Sequence, residues 1–404
     1  MQRQIGAMLL VAGTCIGSGM IALPIVLAKI GILPSILLMA FTWFIMYYTS
    51  LVNIELNLQA GRGISLGSLG RLFSGKKAEL VGFISLKLLS YSLLAVFISG
   101  GSSVLQELLA SKLDLEYSFI SISTFYSLIA MAFLLLPIKL IDYVNRLLFV
   151  CLLSIVAVLI AALAMTINWT ELPLLSEQYS SPSAWATLLP VVFTSFGFQV
   201  IFHTAANYCN MNQKVLKNAF KWGSLIPTIV YILWTCSILG VVYRDNPQFY
   251  AQMAMGKVGI GELIQVLSSI SKWQSVQLLI WLISLLAIAT SVLGVGLGLC
   301  DSIKNVLAKK VQSFKVRNLL ASALAIIPAY LVVLFVPNAF ITVLGFAGMI
   351  LAIIAILLPI YLLHNISPKK FHYPELRRKL LLFLSIAFGL TVIVSELFNF
   401  FIDF

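Results

Sequence analysis

Residues 11–24 read VAGTCIGSGMIALP and lie inside the first long apolar stretch, Ile5 to Ile30. Gly13, Gly17 and Gly19 alternate with Thr14 and Ser18, and Pro24 follows. Glycine and proline are the poorest helix formers, so the helix is weakest where its surroundings are most apolar. At membrane depth, irregular backbone is tolerated only where it is buried in protein or lines a cavity. The stretch therefore predicts a broken membrane helix beside a cavity.

The rest of the chain supplies the membrane. Of 404 residues, 61% are hydrophobic and 10% are charged, against about 25% charged in an ordinary soluble domain. Apolar runs of about 20 residues, each able to cross a hydrocarbon core of ~30 Å, recur along the whole length. The alternating segments of about 10 residues that build a membrane β-barrel are missing from the pattern. The reading is an all-α integral membrane protein with eleven helices, at 6–29, 33–58, 79–107, 118–138, 143–167, 185–208, 218–243, 275–303, 318–336, 339–362 and 379–401. The first stretch is expected to remain as a helix. Only Arg3 precedes it, it is too long for a signal peptide, and no cleavage-like site ends it.

The net charge of +12 is topology and not a nucleic-acid footprint. With eleven helices, most Lys and Arg fall in loops on one side, including Arg62, Arg71, Lys76, Lys77, Lys214, Lys217, Lys309, Lys310, Lys369 and Lys370. The other side holds Lys29, Lys112, Arg244, Lys257 and Lys272. The positive-inside rule then puts the N-terminus in the cytoplasm and the C-terminus outside. The cysteines, Cys15, Cys151, Cys209, Cys236 and Cys300, sit in or beside apolar helices. Their odd number and lack of ligand-like spacing predict no disulfide framework, no metal and no cofactor.

A second weak point lies in PVVFTSFGFQVIFHTAANYCN, residues 190–210, where Thr194, Ser195 and Gly197 follow Pro190. It falls in the sixth helix, five after the first. The expected organisation is one transmembrane domain over 1–404, with helices 1–5 (about 6–167) and helices 6–10 (about 185–362) as inverted repeats and helix 11 (about 379–401) added. Interrupted segments at matching places in two halves mark a transporter's binding site. The half-helix after a break offers N–H groups at a positive dipole end, which suits a carboxylate. Carbonyls of the half-helix before it suit an ammonium or a small cation. Gly13 and Gly17 also fit small-xxx-small helix packing, and the matching second break favours binding. In the outer loop 244–274, the run ELIQVLSSI reads as an interfacial helix over the vestibule.

Ionisable residues inside a membrane are costly and mark function. Two are expected well within helices, Lys87 and His203. Lys87 is either a cation site, able to carry the coupled proton, or a side chain that snorkels to the cytoplasmic surface. His203 is either a proton carrier or a satisfied core residue. Thr290 and Ser291 in the eighth helix either ligate a cation with helix 1 carbonyls or bond back to their own backbone. Asp301 either pairs with Arg3 as an inner gate or simply ends its helix. Glu55 and Arg146 read as structural anchors. Phe193, Phe196 and Phe198 flank the sixth-helix break, with Tyr91 in helix 3, and rings there are placed to stack on a flat ligand. Gln199 offers a bond to a polar tip. Few helix carboxylates and only three histidines, His203, His364 and His372, argue against a membrane enzyme. The chain offers no soluble output domain for a sensor.

Together VAGTCIGSGMIALP, ISG at 98–100, DYVNRLLF at 142–149, FTSFGFQ at 193–199 and ATSVLGVGLGLCD at 289–301 resemble the aromatic (hydroxy/aromatic) amino acid permease family, above all its tyrosine-specific members. The resemblance implies a LeuT-like fold of the APC superfamily, with a five-plus-five inverted repeat and an eleventh helix. It implies proton symport of an aromatic amino acid, most of all tyrosine, across a bacterial inner membrane. A closed five-plus-five core needs no partner to make a pathway, so a monomer is expected. Carried over by position, the break at Thr14, Cys15, Ile16, Gly17, Ser18 and Gly19 would hold the substrate carboxylate. Carbonyls near Thr194, Ser195, Phe196 and Gly197 would hold its ammonium, and Thr290 and Ser291 match a sodium site of related carriers. A sodium-coupled or broader neutral and aromatic amino acid carrier, for tryptophan or phenylalanine, or a non-transporting amino acid sensor, remains as the alternative. The chain departs from the family pattern at His203–Thr204 and at Lys87.

Overall fold

The computed structural model describes residues 2–136, 138–166, 171–270, 274–308, 310–336, 339–366 and 371–402. The elements are α1 Gln2–Cys15, α2 Ser18–Leu27, α3 Ile32–Ala60, α4 Leu66–Ser74, α5 Lys76–Leu113, α6 Phe119–Leu134 and α7 Ile138–Thr166. Then come α8 Pro182–Ser195, α9 Phe202–Tyr208, α10 Gln213–Asp245, α11 Pro247–Ala254, α12 Ile260–Ile270 and α13 Gln274–Leu307. The chain ends with α14 Phe314–Phe335, α15 Ala339–Ala352, α16 Leu358–His364 and α17 Lys379–Ile402. No strand occurs among the described residues. Helix occupies each of the eleven stretches expected from the sequence. By length and apolarity, seven single helices qualify to cross a membrane, and eight with one bent pair. The protein is a multi-pass membrane protein.

Both anticipated interruptions are present. α1 and α2 are separated at Ile16–Gly17 and their axes bend by 48°. α8 stops at Ser195, and a 3-10 turn over Phe198–Ile201 leads into α9. A third irregularity was not expected. The tenth helix passes through a π-helical turn, Ile353–Leu357, between α15 and α16. Pro359 follows at the start of α16 and has no N–H for the carbonyl one turn back. Such π turns recur at functional sites.

Packing places the two broken spans at the centre. α1 lies along α10, α2 lies on α8, and α15 packs between α5 and α8. α13 rests on α5 and α7, and α17 covers α8 and α15 from outside. At the end of α2, Gly31 has φ +83°. This lets Ile32 and Leu33 donate their N–H groups to the carbonyls of Pro173 and Leu174. α12 is more than an interfacial helix. Leu263, Ile264 and Leu267 are buried, α12 packs on α5 and α13, and Trp281 Nε1 donates to Ser268 Oγ at 3.2 Å.

At the opposite end, the carboxylate of Glu55 is fully buried at the end of α3. It accepts the backbone N–H of His372 at 3.1 Å and of Tyr373 at 3.2 Å, and Gln59 Nε2 at 2.7 Å. His372 Nδ1 lies 3.2 Å away. Glu55 therefore holds the backbone just before the 3-10 turn Pro374–Arg377, which leads into α17. It is an anchor, as expected. The side chain of the other expected anchor, Arg146, is outside the described residues. The neighbouring loop is fastened by Asn207, which accepts from Gly63 N at 3.1 Å and donates to Gly63 O at 2.9 Å.

Candidate functional site

The two interruptions meet. A Cβ on Gly19 would lie 2.6 Å from Ser195 Oγ and 2.9 Å from its Cα. Only glycine lets the start of α2 come this close to the end of α8. Gly17 is equally confined, against Ser291 Oγ of α13.

Tyr231 of α10 joins the two breaks. Its side chain is fully buried. Its hydroxyl bonds the carbonyl of Cys15, and the carbonyl of Ser195 lies 3.0 Å away. These residues end α1 and α8, and the last carbonyls of a helix have no partner within it. A phenol has one proton to donate, so two buried acceptors share one donor. A group with several donors, such as an ammonium, suits that pair of carbonyls better than one hydroxyl does. α2 begins at Ser18, close by in sequence, and brings the positive end of its dipole to the same junction. The junction therefore offers opposite partial charges to the two ends of a zwitterion.

The other expected residues are placed as follows. Cys15, Ile16 and Ser195 are buried, while the side chain of Ser18 is outside the described residues. Thr14 Oγ1 bonds back to Leu10 O at 2.8 Å, and Ser195 Oγ to Val191 O at 3.0 Å. Thr194 Oγ1 contacts Pro190 O at 2.7 Å and, across to α15, Leu344 O at 2.9 Å. Gly197 donates its N–H to Thr194 O at 3.0 Å. Phe193, Phe196 and Phe198 are buried and pack edge-on or tilted against Phe388, Tyr231 and Phe220 respectively. Their rings hold α8 and the turn after it against α17 and α10.

Gln199 is committed to α3. Its Nε2 donates to Thr49 Oγ1 at 2.6 Å and Met46 O at 3.2 Å, and its Oε1 accepts from Asn53 Nδ2 at 2.6 Å. A ligand acceptor that seeks the Gln199 amide protons must displace one of these. Tyr91 donates its hydroxyl to Leu324 O of α14 at 3.0 Å. His203 lines a small cavity with Asn53, Asn57 and Gln199 and the apolar Leu86, Phe202 and Ile354 of the π turn. The cavity holds about 30 Å³, room for about one water.

Lys87 lays its ammonium 4.4 Å from the ring centre of Phe83, one turn nearer the start of α5. This direction is that of snorkelling. Thr290 Oγ1 bonds Leu286 O at 2.9 Å and Ser291 Oγ bonds Ala287 O at 2.7 Å. Both hydroxyl protons are thus spent on their own helix, while Ser291 abuts the first break. Asp301 pairs with Lys304 at 3.6 Å, so the structure does not bring Arg3 and Asp301 together as a gate.

Three participants went unread in the sequence. Tyr231 looks like any membrane tyrosine until α10 is folded against both breaks. The clamp of Thr49 and Asn53 on Gln199 needs α3 in place. Glu396 corrects the expectation that only Lys87 and His203 are ionisable within helices. It is buried in α17 with 4% exposure, and its position inside an apolar stretch was a usable signal.

The model of the tryptophan/tyrosine permease family matches residues 1–396. Tyrosine-specific transport system 1 of Haemophilus influenzae is 30% identical, over 90% of this chain and 88% of its own length. The tryptophan-specific transport protein of Pseudomonas aeruginosa is 28% identical, over 92% of this chain and 88% of its own length. Glutamine transporter 2 of Aliivibrio fischeri is 26% identical over 97% of this chain and 98% of its own length. These relatives are transport proteins and not enzymes. With nearly the whole chain covered and both broken helices inside the matched region, the chain belongs to the tryptophan/tyrosine permease family.

Proposed function

We propose that this permease imports an aromatic amino acid, tyrosine before the others, by proton symport across a bacterial inner membrane. The reading includes a LeuT-like five-plus-five repeat with α17 as the eleventh span. The N-terminus is cytoplasmic, the C-terminus periplasmic, and the working unit a monomer. The observation that carries it is the junction at Tyr231, where carbonyls of Cys15 and Ser195 converge beside the start of α2. An ammonium binds the carbonyls, displacing the hydroxyl, and the carboxylate faces the N–H groups of α2. Alternating access follows from rocking one helix bundle about this midplane site.

A broader neutral amino acid carrier is the second reading, favoured by the likeness over 97% of the chain to a glutamine transporter. The test is uptake of labelled tyrosine into proteoliposomes under an inward proton gradient without sodium. Excess tryptophan, phenylalanine, leucine and glutamine serve as competitors. Proton-driven uptake blocked chiefly by aromatic competitors is the expected result. Block by glutamine would favour the broader carrier. A strict need for sodium would replace the proton and promote Thr290 and Ser291 to ion ligands.

A further inference from the structure

An indole N–H is a donor only, and a buried one normally finds an acceptor. Trp43 Nε1 donates to Ser224 Oγ at 3.1 Å, Trp185 Nε1 to Tyr179 O at 2.8 Å and Trp281 Nε1 to Ser268 Oγ at 3.2 Å. Trp234 of α10 differs. Only 3% of it is exposed, yet its Nε1 has no hydrogen-bond partner among the described residues. A buried donor in that condition destabilises the fold unless something else accepts from it.

The register of α10 shows what this donor faces. α10 runs parallel to α1 and α2. A Cβ on Gly223 would lie 2.8 Å from Met8 O and from Val11 Cβ, Tyr231 reaches the carbonyl of Cys15, and Tyr250 of α11 donates to Ala28 O at 3.4 Å. Trp234 follows Gly223 by eleven residues, which is three turns and about 20° round the helix. The two residues therefore share one face. Eleven residues on from Met8 and Val11 are Gly19 and Ala22, at the start of α2, and α2 packs on α10. Gly17 at the N-cap of α2 has no side chain to accept from the first N–H groups of that helix, which lack partners within it. A helix start with its positive dipole end and a buried indole N–H thus lie side by side. The group that completes them is a negatively charged acceptor, a carboxylate. The phenol of a tyrosine side chain carries no charge and answers the dipole less well.

We propose that Trp234 Nε1 donates to the substrate carboxylate and fixes it at the start of α2. The inference rests on the amino acid reading above, which sets a carboxylate before α2, and adds the side chain that holds it there. Packing already orders the indole, so the bond forms without the cost of ordering a mobile side chain. Tyr231 and Trp234, one turn apart on α10, then serve the two ends of one zwitterion. Tyr231 yields its carbonyls to the ammonium, and Trp234 binds the carboxylate.

The test uses the purified full-length protein as wild type, Trp234→Phe and Trp234→His. The affinities of tyrosine and of tyramine, the same molecule without its carboxylate, are measured for each. Trp234→Phe keeps an aromatic ring and deletes the N–H. It should bind tyrosine about 10- to 150-fold more weakly, the span of a hydrogen bond to a charged group, and bind tyramine as wild type does. Trp234→His keeps an N–H and should recover part of the loss. Wild-type tyrosine affinity in Trp234→Phe overturns the proposal. So does an equal loss for tyrosine and tyramine in both variants, which assigns the indole to packing. Glutamine and 4-aminobutanamide, its decarboxylated form, are run in parallel. Wild type that binds glutamine and not tyrosine would sink the aromatic reading, and the second pair would then decide the role of Trp234 by the same comparison.

Discussion

Replacing Tyr231 by Phe deletes one oxygen and keeps the ring that packs on Phe196. It strips the carbonyls of Cys15 and Ser195 of the hydroxyl they share. Leaving a buried acceptor unsatisfied costs about 1–3 kcal/mol, and because one proton serves both carbonyls the whole change is counted once. The ligand-free protein should lose that much stability. A substrate ammonium no longer competes with the hydroxyl, so the same 1–3 kcal/mol appears as roughly 5- to 150-fold tighter binding. The assay is tyrosine binding to purified Tyr231→Phe, beside 3-(4-hydroxyphenyl)propanoate, which lacks the ammonium. Tyrosine affinity should rise and that of the acid should not. Weaker tyrosine binding with unchanged ligand-free stability would refute the reasoning, because the hydroxyl would then be a substrate contact and not a stand-in for one.

Gly19→Leu should abolish binding while the protein still inserts, since its Cβ would already overlap Ser195; unchanged binding would reduce the junction to plain packing. Lys87→Met should leave the pH profile of uptake unaltered, as its ammonium already reaches back over Phe83; a shifted profile would make Lys87 a coupling residue after all. Glu55→Gln should lower the melting temperature, because the backbone N–H groups of His372 and Tyr373 lose a carboxylate acceptor and hydrogen bonds to a charged group contribute about 1.5–3 kcal/mol. An unmoved Tm would show that this anchor contributes little.

The apolar runs and the glycines of residues 11–24 were enough to place the helices and the first break. Each is a local property, fixed by how a segment partitions into lipid or tolerates a turn. The second break was legible for the same reason, from Thr194, Ser195 and Gly197 after Pro190. Side-chain roles were less legible. Thr290 and Ser291 could be read either as ligands or as back-bonded hydroxyls, and spacing gives no means of choosing. Gln199 looked free until α3 supplied Thr49 and Asn53 as partners. Tyr231 acquires its meaning only from elements far away in sequence. A span's composition tells whether it enters the membrane and where its backbone yields. What a polar atom inside that span bonds to is decided by which other helix lies against it, and only the tertiary structure brings α10 to both breaks and α17 to α15 and α8.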